Sequence, residues 1–346
     1  MKIGLVGFAG SGKTTVFNTM TGLDVPVGYG GELRYGTVRV PDQRVDALSR
    51  MFSPRKTTYA EISFCDIPGE HGAERKGLSV KALRQIGDQD TLCLVLRDFS
   101  SPAIEGDPDP QRDLEAFHTE CVLADLEIVE RRLDRARKEH APRQEQAGFE
   151  RMKETLEAGR ALRCLSSSEL DRGPLRGFAF LTDKPLLVAL NRDEARAAEA
   201  VPAELAARIG AMGAAGLGLS ASVEAELAGL PPEEQTAFLE DLGLPESALA
   251  RFIRAAFALL ELISFFTVGA DEVRAWPIRR GMTARQAAGR IHSDLERGFI
   301  RAEVIPFPVL MEYGSEHAVK LAGRLRIEGK EYVVADGDIL HVRFNV

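Results

Sequence analysis

The chain has 346 residues and a formal net charge of −8, with 45% apolar and 28% charged residues. That length predicts two or three domains, and the composition is that of a folded globular protein, not a low-complexity or fibrous one. The acidic balance argues against nonspecific nucleic-acid binding by the whole molecule. No run reaches the roughly 18–20 apolar residues of a membrane span; the densest stretch, Ala255 to Val268, is interrupted by Glu261.

In chain order, Lys2-Ile3-Gly4-Leu5-Val6 reads as a short buried strand, and its position leaves no room for a signal peptide. Gly7-Phe8-Ala9-Gly10-Ser11-Gly12-Lys13-Thr14 follows and fits G-x-x-x-x-G-K-[ST], and a helix continues from Thr15 to Met20. Strand, glycine-rich turn and helix form the setting that a phosphate-binding loop needs. Glycines let backbone N–H groups turn inward on a polyphosphate, and the helix N-terminus adds a positive dipole end. The pattern predicts a nucleoside triphosphate held by Ala9, Gly10, Ser11, Gly12, Lys13, Thr14 and Thr15. Lys13 reaches the β and γ phosphates as the main catalytic cation, and the Thr14 hydroxyl is a Mg²⁺ ligand.

The strand-like segment Ala60 to Cys65 ends in Asp66-Ile67-Pro68-Gly69, the D-x-x-G arrangement of GTPase-type P-loop proteins. Asp66 is therefore the second expected Mg²⁺ ligand, and Gly69 an expected contact to the γ-phosphate. Glu70 and His71, next along, are candidates to orient the attacking water. Thr91 to Leu96 reads as a central parallel strand. After Pro108-Asp109-Pro110 the apolar residues Leu114, Phe117, Cys121, Ala124 and Ile128 recur at helical spacing. Beyond Pro142, Phe149, Met152, Leu156 and Gly159 repeat it. Two long helices folding back as a hairpin explain the pattern.

The α/β pattern resumes with the strand Lys184 to Leu190, carrying Asn191-Arg192-Asp193-Glu194 at its end, the edge where open parallel sheets bind ligands. Guanine-selective proteins carry N-K-x-D there. Glu194 is one methylene longer than that aspartate, which displaces the carboxylate from a two-bond contact with guanine and predicts a relaxed or reversed preference. Gly216 to Ala221 reads as a further strand and loop, with helices from Pro232 to about Leu262. In the last 80 residues, Ala275 to Ile278 reads as a strand. Thr283 and Gln286 form a capping box that opens a helix from Ala284 to Leu295, and Asp336-Gly337-Asp338 turns into a terminal strand over Ile339 to Phe344. A small sheet crossed by one helix fits. From Thr267 onward, twelve Lys and Arg face eleven Asp and Glu, so the negative charge lies in the rest of the chain. Cys65, Cys93, Cys121 and Cys164 form no C-x-x-C pair and read as thiols of a reduced, cytoplasmic protein. The histidines show no metal-ligand spacing.

With these residues in place, the chain resembles the YchF / Obg-like ATPase family of P-loop NTPases over nearly its full length. The resemblance is carried by Val40 to Leu48, by the N-x-x-E of Asn191 and Glu194, and by Ser220-Ala221-Ser222-Val223-Glu224-Ala225-Glu226. Its strongest carriers are Phe266 to Trp276, Gln286 to Asp294 and Arg297 to Ala302. It implies an α/β P-loop NTPase (GTPase-like) domain over 1–110 and 175–265, an inserted α-helical coiled-coil hairpin over 111–174, and a C-terminal α+β β-grasp (TGS-like) domain over 266–346. It further implies a cytoplasmic, Mg²⁺-dependent protein that prefers ATP and associates with ribosomes, with Asn191, Glu194, Ser220 and Ala221 lining the base pocket. Ribosome or RNA contact would run through the C-terminal domain and the helical arm, with no membrane and no DNA specificity. GTP as the nucleotide, and a nucleotide-gated binding module with little turnover, stand as alternatives. The chain departs from the family pattern at Gly10, where asparagine is usual; at Gly28-Tyr29-Gly30-Gly31, which lack a threonine; and at Glu70-His71. It departs also at the shortened segment around Lys76-Gly77-Leu78, and in Ser100 to Pro110, which lacks a histidine.

Overall fold

The structure is a computed structural model and describes residues 2–26, 33–68, 80–102, 104, 106–173 and 177–345. Gly69, Glu70 and His71, together with Gly28 to Gly31 and Lys76 to Leu78, lie outside the described residues. Two compact units emerge, one from residues 1–38 and 63–255, the other from 39–62 and 256–346.

The first unit is built on a six-stranded sheet. Its strands are β1 (Lys2–Val6), β2 (Arg34–Arg39), β4 (Glu61–Asp66), β5 (Thr91–Asp98), β6 (Leu186–Arg192) and β7 (Ala215–Leu219) in the order β2-β4-β1-β5-β6-β7, while β3 (Lys56–Thr58) belongs to the other sheet. From β4 to β7 every pairing is parallel. Every residue of β6 is buried, and all of β5 but its last, which is why both read as continuous apolar runs and not as alternation. Both strands run one or two residues past their apolar cores, so Arg97 pairs with Asn191 and Asp98 with Arg192 at the C-terminal edge.

Helix α1 (Lys13–Thr21) leaves β1 through the glycine loop; α2 (Gln43–Phe52) belongs to the second unit, and α3 (Val80–Gly87) precedes β5. The predicted hairpin is formed by α4 (Pro110–Lys138) and α5 (Arg143–Glu157). The two ends of α4 do different things. Leu114, Phe117 and Cys121 pack on Leu94, Leu96 and Leu190 of the sheet, whereas Val122, Val129 and Leu133 pack with Phe149, Met152 and Leu156 in the arm. Arg137–Glu150 (3.0 Å) and Lys153–Glu130 (2.7 Å) fix the antiparallel register. Asp125, fully buried on α4, accepts from the backbone N–H of Leu181 (2.9 Å) and Thr182 (2.7 Å) and from the Thr182 hydroxyl (2.6 Å), which ties the arm to the segment entering β6. Helices α6 (Ala203–Ala211), α7 (Ala221–Gly229), α8 (Pro232–Asp241) and α9 (Ala248–Leu259) follow. Glu224 explains part of its motif: it is buried and accepts from the N–H of Ala248 (2.7 Å) and Leu249 (3.4 Å), capping α9 from a distance, and burial pushes its carboxyl up.

The second unit holds β8 (Leu262–Thr267), β9 (Glu272–Arg279), β10 (Phe299–Pro306), β11 (Arg326–Glu328) and β12 (Asp338–Phe344) in the order β11-β10-β12-β8-β9-β3. Helix α10 (Ala284–Ile291) crosses it. Ala284, Ala287 and Ala288 let that helix approach Ile263, Phe265 and Leu340 closely. The capping box is present. The predicted helix to Leu295 is not continuous: His292 is extended (φ −161°), and its ring accepts from Asp294 N–H to start a separate turn, Ser293–Arg297. The residues 39–62, whose β3 pairs with β9, carry no sequence signal of belonging to this unit.

Candidate nucleotide-binding site

The glycine loop folds as its sequence predicts. Gly10 and Gly12 take left-handed φ values of 76° and 81°, and Gly12 starts α1 with no side-chain cap, so the helix presents its first N–H groups to a ligand. At Gly12 the requirement is doubly strict, because a Cβ there would lie 2.2 Å from Asn191 Nδ2. A Cβ on Gly10 would stand 3.0 Å from the Ile104 side chain, so Ile104 takes the room an asparagine at position 10 would need. Ser11 is buried and its hydroxyl has no hydrogen-bond partner among the described residues; Ala9 is exposed and Thr15 half-buried.

Lys13 is 7% exposed, its Nζ 4.0 Å from Asp66 Oδ1. Burial lowers its pKa, and the Asp66 carboxylate only partly offsets this. A lysine held this way in the free protein gains from an incoming polyanion. Asp66 Oδ2 accepts from the Thr14 hydroxyl at 3.0 Å, while Oδ1 is buried with no hydrogen-bond partner among the described residues. A hydroxyl beside an open carboxylate oxygen is a hard-oxygen pair that suits Mg²⁺. Among the described residues no group of three His, Cys, Asp or Glu comes together, so phosphate oxygens and water would complete the coordination.

Asn191 is buried and makes two bonds to backbone: its Nδ2 donates to Ser11 O (3.1 Å) and its Oδ1 accepts from Ala221 N–H (3.1 Å). It therefore braces the phosphate loop against the start of α7. Ser220 is buried beside it and its hydroxyl meets that of Ser222 at 2.9 Å. Glu194 opens the 3₁₀ turn Glu194–Arg196 and is exposed. These groups share one cavity of about 830 Å³, lined by Gly12, Thr15, Asn191, Glu194, Ala221 and Ser222, large enough for a base and ribose. Gly12, Thr15, Asn191, Glu194 and Ala221 are thus brought together as expected; Ser220 stands just behind.

Sequence reasoning did not single out Phe99, Ala195, Ala198, Asp241 and Leu242 as contributors to the cavity. Phe99 follows β5 at the edge where ligands collect, a signal that was available. The end of α8 gives no local sign that it reaches this wall. Arg192 is also unanticipated in its role. Where N-K-x-D has lysine, this arginine lines the cavity with a fully buried side chain that pairs with Asp98.

A family model described as a 50S ribosome-binding GTPase matches residues 2–129, and the YchF-GTPase C-terminal model, described as a protein of unknown function, matches 262–345. The ribosome-binding ATPase YchF of Bacillus subtilis is 38% identical over 361 residues, covering 99% of each chain. Obg-like ATPase 1 of Oryza sativa subsp. japonica is 37% identical over 367 residues, covering 100% of this chain and 92% of the relative. The solved YchF GTPase of Schizosaccharomyces pombe superposes with a TM-score of 0.86 at 31% identity, covering 99% and 97% of the two chains. Full-length similarity in both sequence and structure, together with a braced phosphate loop and an N-x-x-E at the rim of its cavity, makes this chain a member of the YchF family.

Proposed function

We propose that the protein is a slow, Mg²⁺-dependent nucleoside triphosphatase that prefers ATP and works as a nucleotide-governed switch at the ribosome, in the cytoplasm. The observation that carries the reading is the bracing of the phosphate loop by Asn191 with Glu194 at the open rim of the same cavity. In this reading Lys13 and the loop amides hold the phosphates, and Thr14 and Asp66 hold Mg²⁺. Mg²⁺ supplies charge neutralisation for the phosphate oxygens. Ala9, Gly10, Ser11, Gly12 and Thr15 shape the cradle, Ser220 and Ala221 close the base side, and Glu194 accepts from the exocyclic amine of adenine. Gly69, Glu70 and His71 are proposed for the γ-phosphate and the attacking water on sequence alone.

Ribosome association is taken from the names of the relatives, two of them ribosome-binding or Obg-like ATPases. The C-terminal unit, read as a TGS-like β-grasp domain, and the helical arm are the proposed contacts. Exposed Arg301 stands opposite Arg343 across β10 and β12, and Arg343 pairs with Glu303 (3.1 Å), which leaves Arg301 as the residue offered to an anionic partner.

Titration with ATP and GTP, with and without Mg²⁺ and with phosphate release followed in the same samples, tests the reading. ATP binding at least about tenfold tighter than GTP, a difference of about 1.4 kcal/mol, with slow Mg²⁺-dependent release, is expected. Equal or GTP-favouring affinity would make it a GTPase, and tight binding without release a nucleotide-gated adaptor. Co-sedimentation with ribosomes, weakened by Arg301→Glu, checks the partner.

A further inference from the structure

Two walls of the base cavity come from different parts of the chain: Phe99 from the end of β5, and Asp193, Glu194, Ala195 and Ala198 from the turn after β6. Nothing in the backbone ladder holds that turn, since β6 ends at Arg192. Side chains behind it do. Arg192 Nε donates to Asp98 Oδ2 (3.1 Å), its Nη1 to the carbonyl of Glu199 (2.7 Å) and its Nη2 to that of Ala200 (3.1 Å). Arg196, inside the turn, reaches back to the same carboxylate oxygen (3.2 Å) and to the Asp98 carbonyl. Asp98 immediately precedes Phe99, so the two arginines fasten both walls to one carboxylate.

We propose that Arg192, Asp98 and Arg196 form a positioning clamp that sets the register of Glu194 against the edge of the bound base and thereby determines nucleotide selectivity. The inference rests on the reading of Glu194 as base selector. Its physical content is that one planar guanidinium serves three acceptors in fixed directions, one carboxylate and two carbonyls. A lysine, with a compact ammonium on a flexible stem, cannot span all three. Gly218 provides the room: a Cβ there would lie 3.3 Å from Arg192 Nη1. Arginine where N-K-x-D has lysine and glutamate where it has aspartate then belong together, the arginine bracing the turn that carries the glutamate.

The test compares the dissociation constants of ATP and GTP, in Mg²⁺, for the wild-type protein and for Arg192→Lys, Arg196→Gln and Glu194→Ala. Arg196 is partly exposed, so Arg196→Gln is the variant least exposed to folding failure, and it carries the test if Arg192→Lys does not fold. A fall in the ATP:GTP selectivity ratio of roughly tenfold in Arg192→Lys, with a smaller fall in Arg196→Gln, is expected. A purely structural brace would weaken both nucleotides equally. Folded clamp variants that keep the wild-type ratio while Glu194→Ala changes it overturn the clamp and leave the selector standing. Clamp variants that change the ratio while Glu194→Ala does not would refute Glu194 as the selector and with it the clamp acting through Glu194. A wild-type protein that does not distinguish the two nucleotides overturns both.

Discussion

Replacing Asn191 by aspartate changes one heavy atom, yet it strikes the brace between the phosphate loop and α7. The oxygen that accepts from Ala221 N–H survives; the NH₂ that donates to Ser11 O becomes an oxygen facing an oxygen. Asn191 is 3% exposed, so water cannot repair the conflict. If the new carboxyl stays ionised, the fold loses a hydrogen bond and leaves a buried acceptor opposed, a cost of about 2–4 kcal/mol. If it takes a proton instead, its O–H restores the bond to Ser11, but carrying a proton at pH 7 on a group with an ordinary pKa of about 3.9 costs about 4 kcal/mol. The penalty at neutral pH is then about 2–4 kcal/mol by either route, equivalent to a folded-state pKa raised to about 5.4–6.8. The sign follows. A carboxyl whose pKa is raised by folding leaves the variant at its full deficit above that pKa, and the deficit shrinks as pH falls through it towards about 3.9. Urea titrations of wild type and Asn191→Asp from pH 8 to 5 measure the difference directly. ATP affinity, expected to fall by about tenfold or more at pH 8 from a misplaced loop, is expected to recover in parallel. A difference that is absent, or that does not narrow with acid, would mean that the Asn191 amide does not bridge these two backbones.

Gly12→Ala is expected to cost about 1–2 kcal/mol for the left-handed backbone and more for displacing Asn191, and to abolish measurable ATP binding by calorimetry. Lys13→Met should weaken ATP by about 10–100-fold, the worth of a hydrogen bond to a charged group. Asp66→Asn should leave the fold intact and remove the Mg²⁺ dependence of ATP affinity, read by titration with and without the metal. Asp125→Ala strands two backbone N–H groups and a hydroxyl, about 3 kcal/mol or more in sum, and should raise hydrogen exchange at Leu181 and Thr182 before that of the sheet.

What the sequence reveals here depends on whether a residue's job is local. The phosphate loop is legible because its glycines encode backbone angles at fixed spacing, and the capping box because its two partners are three residues apart. The strands β5 and β6 are legible in their apolar cores but not in their polar ends, where Asp98, Asn191 and Arg192 continue the ladder with side chains that propensity would assign to a loop. The helix expected through Leu295 fails at His292, whose ring finds a better use capping the next turn than extending the last. The attachment of residues 39–62 to the C-terminal sheet is a pairing between segments more than 200 residues apart, with no local trace. The same distinction separates the parts of the candidate site. Lys13, Thr14 and Asp66 announce themselves by motif, since the chemistry of phosphate and magnesium fixes both residue type and position. The base side does not, because Glu194 is an exposed residue in a turn, and the bonds that fasten this turn to Asp98 come from Arg192 and Arg196, whose partners lie far along the chain. Asn191 shows how far the two overlap. Its motif suggests a residue that reads the base, whereas both ends of its amide are engaged by backbone, which ties the loop to the start of α7.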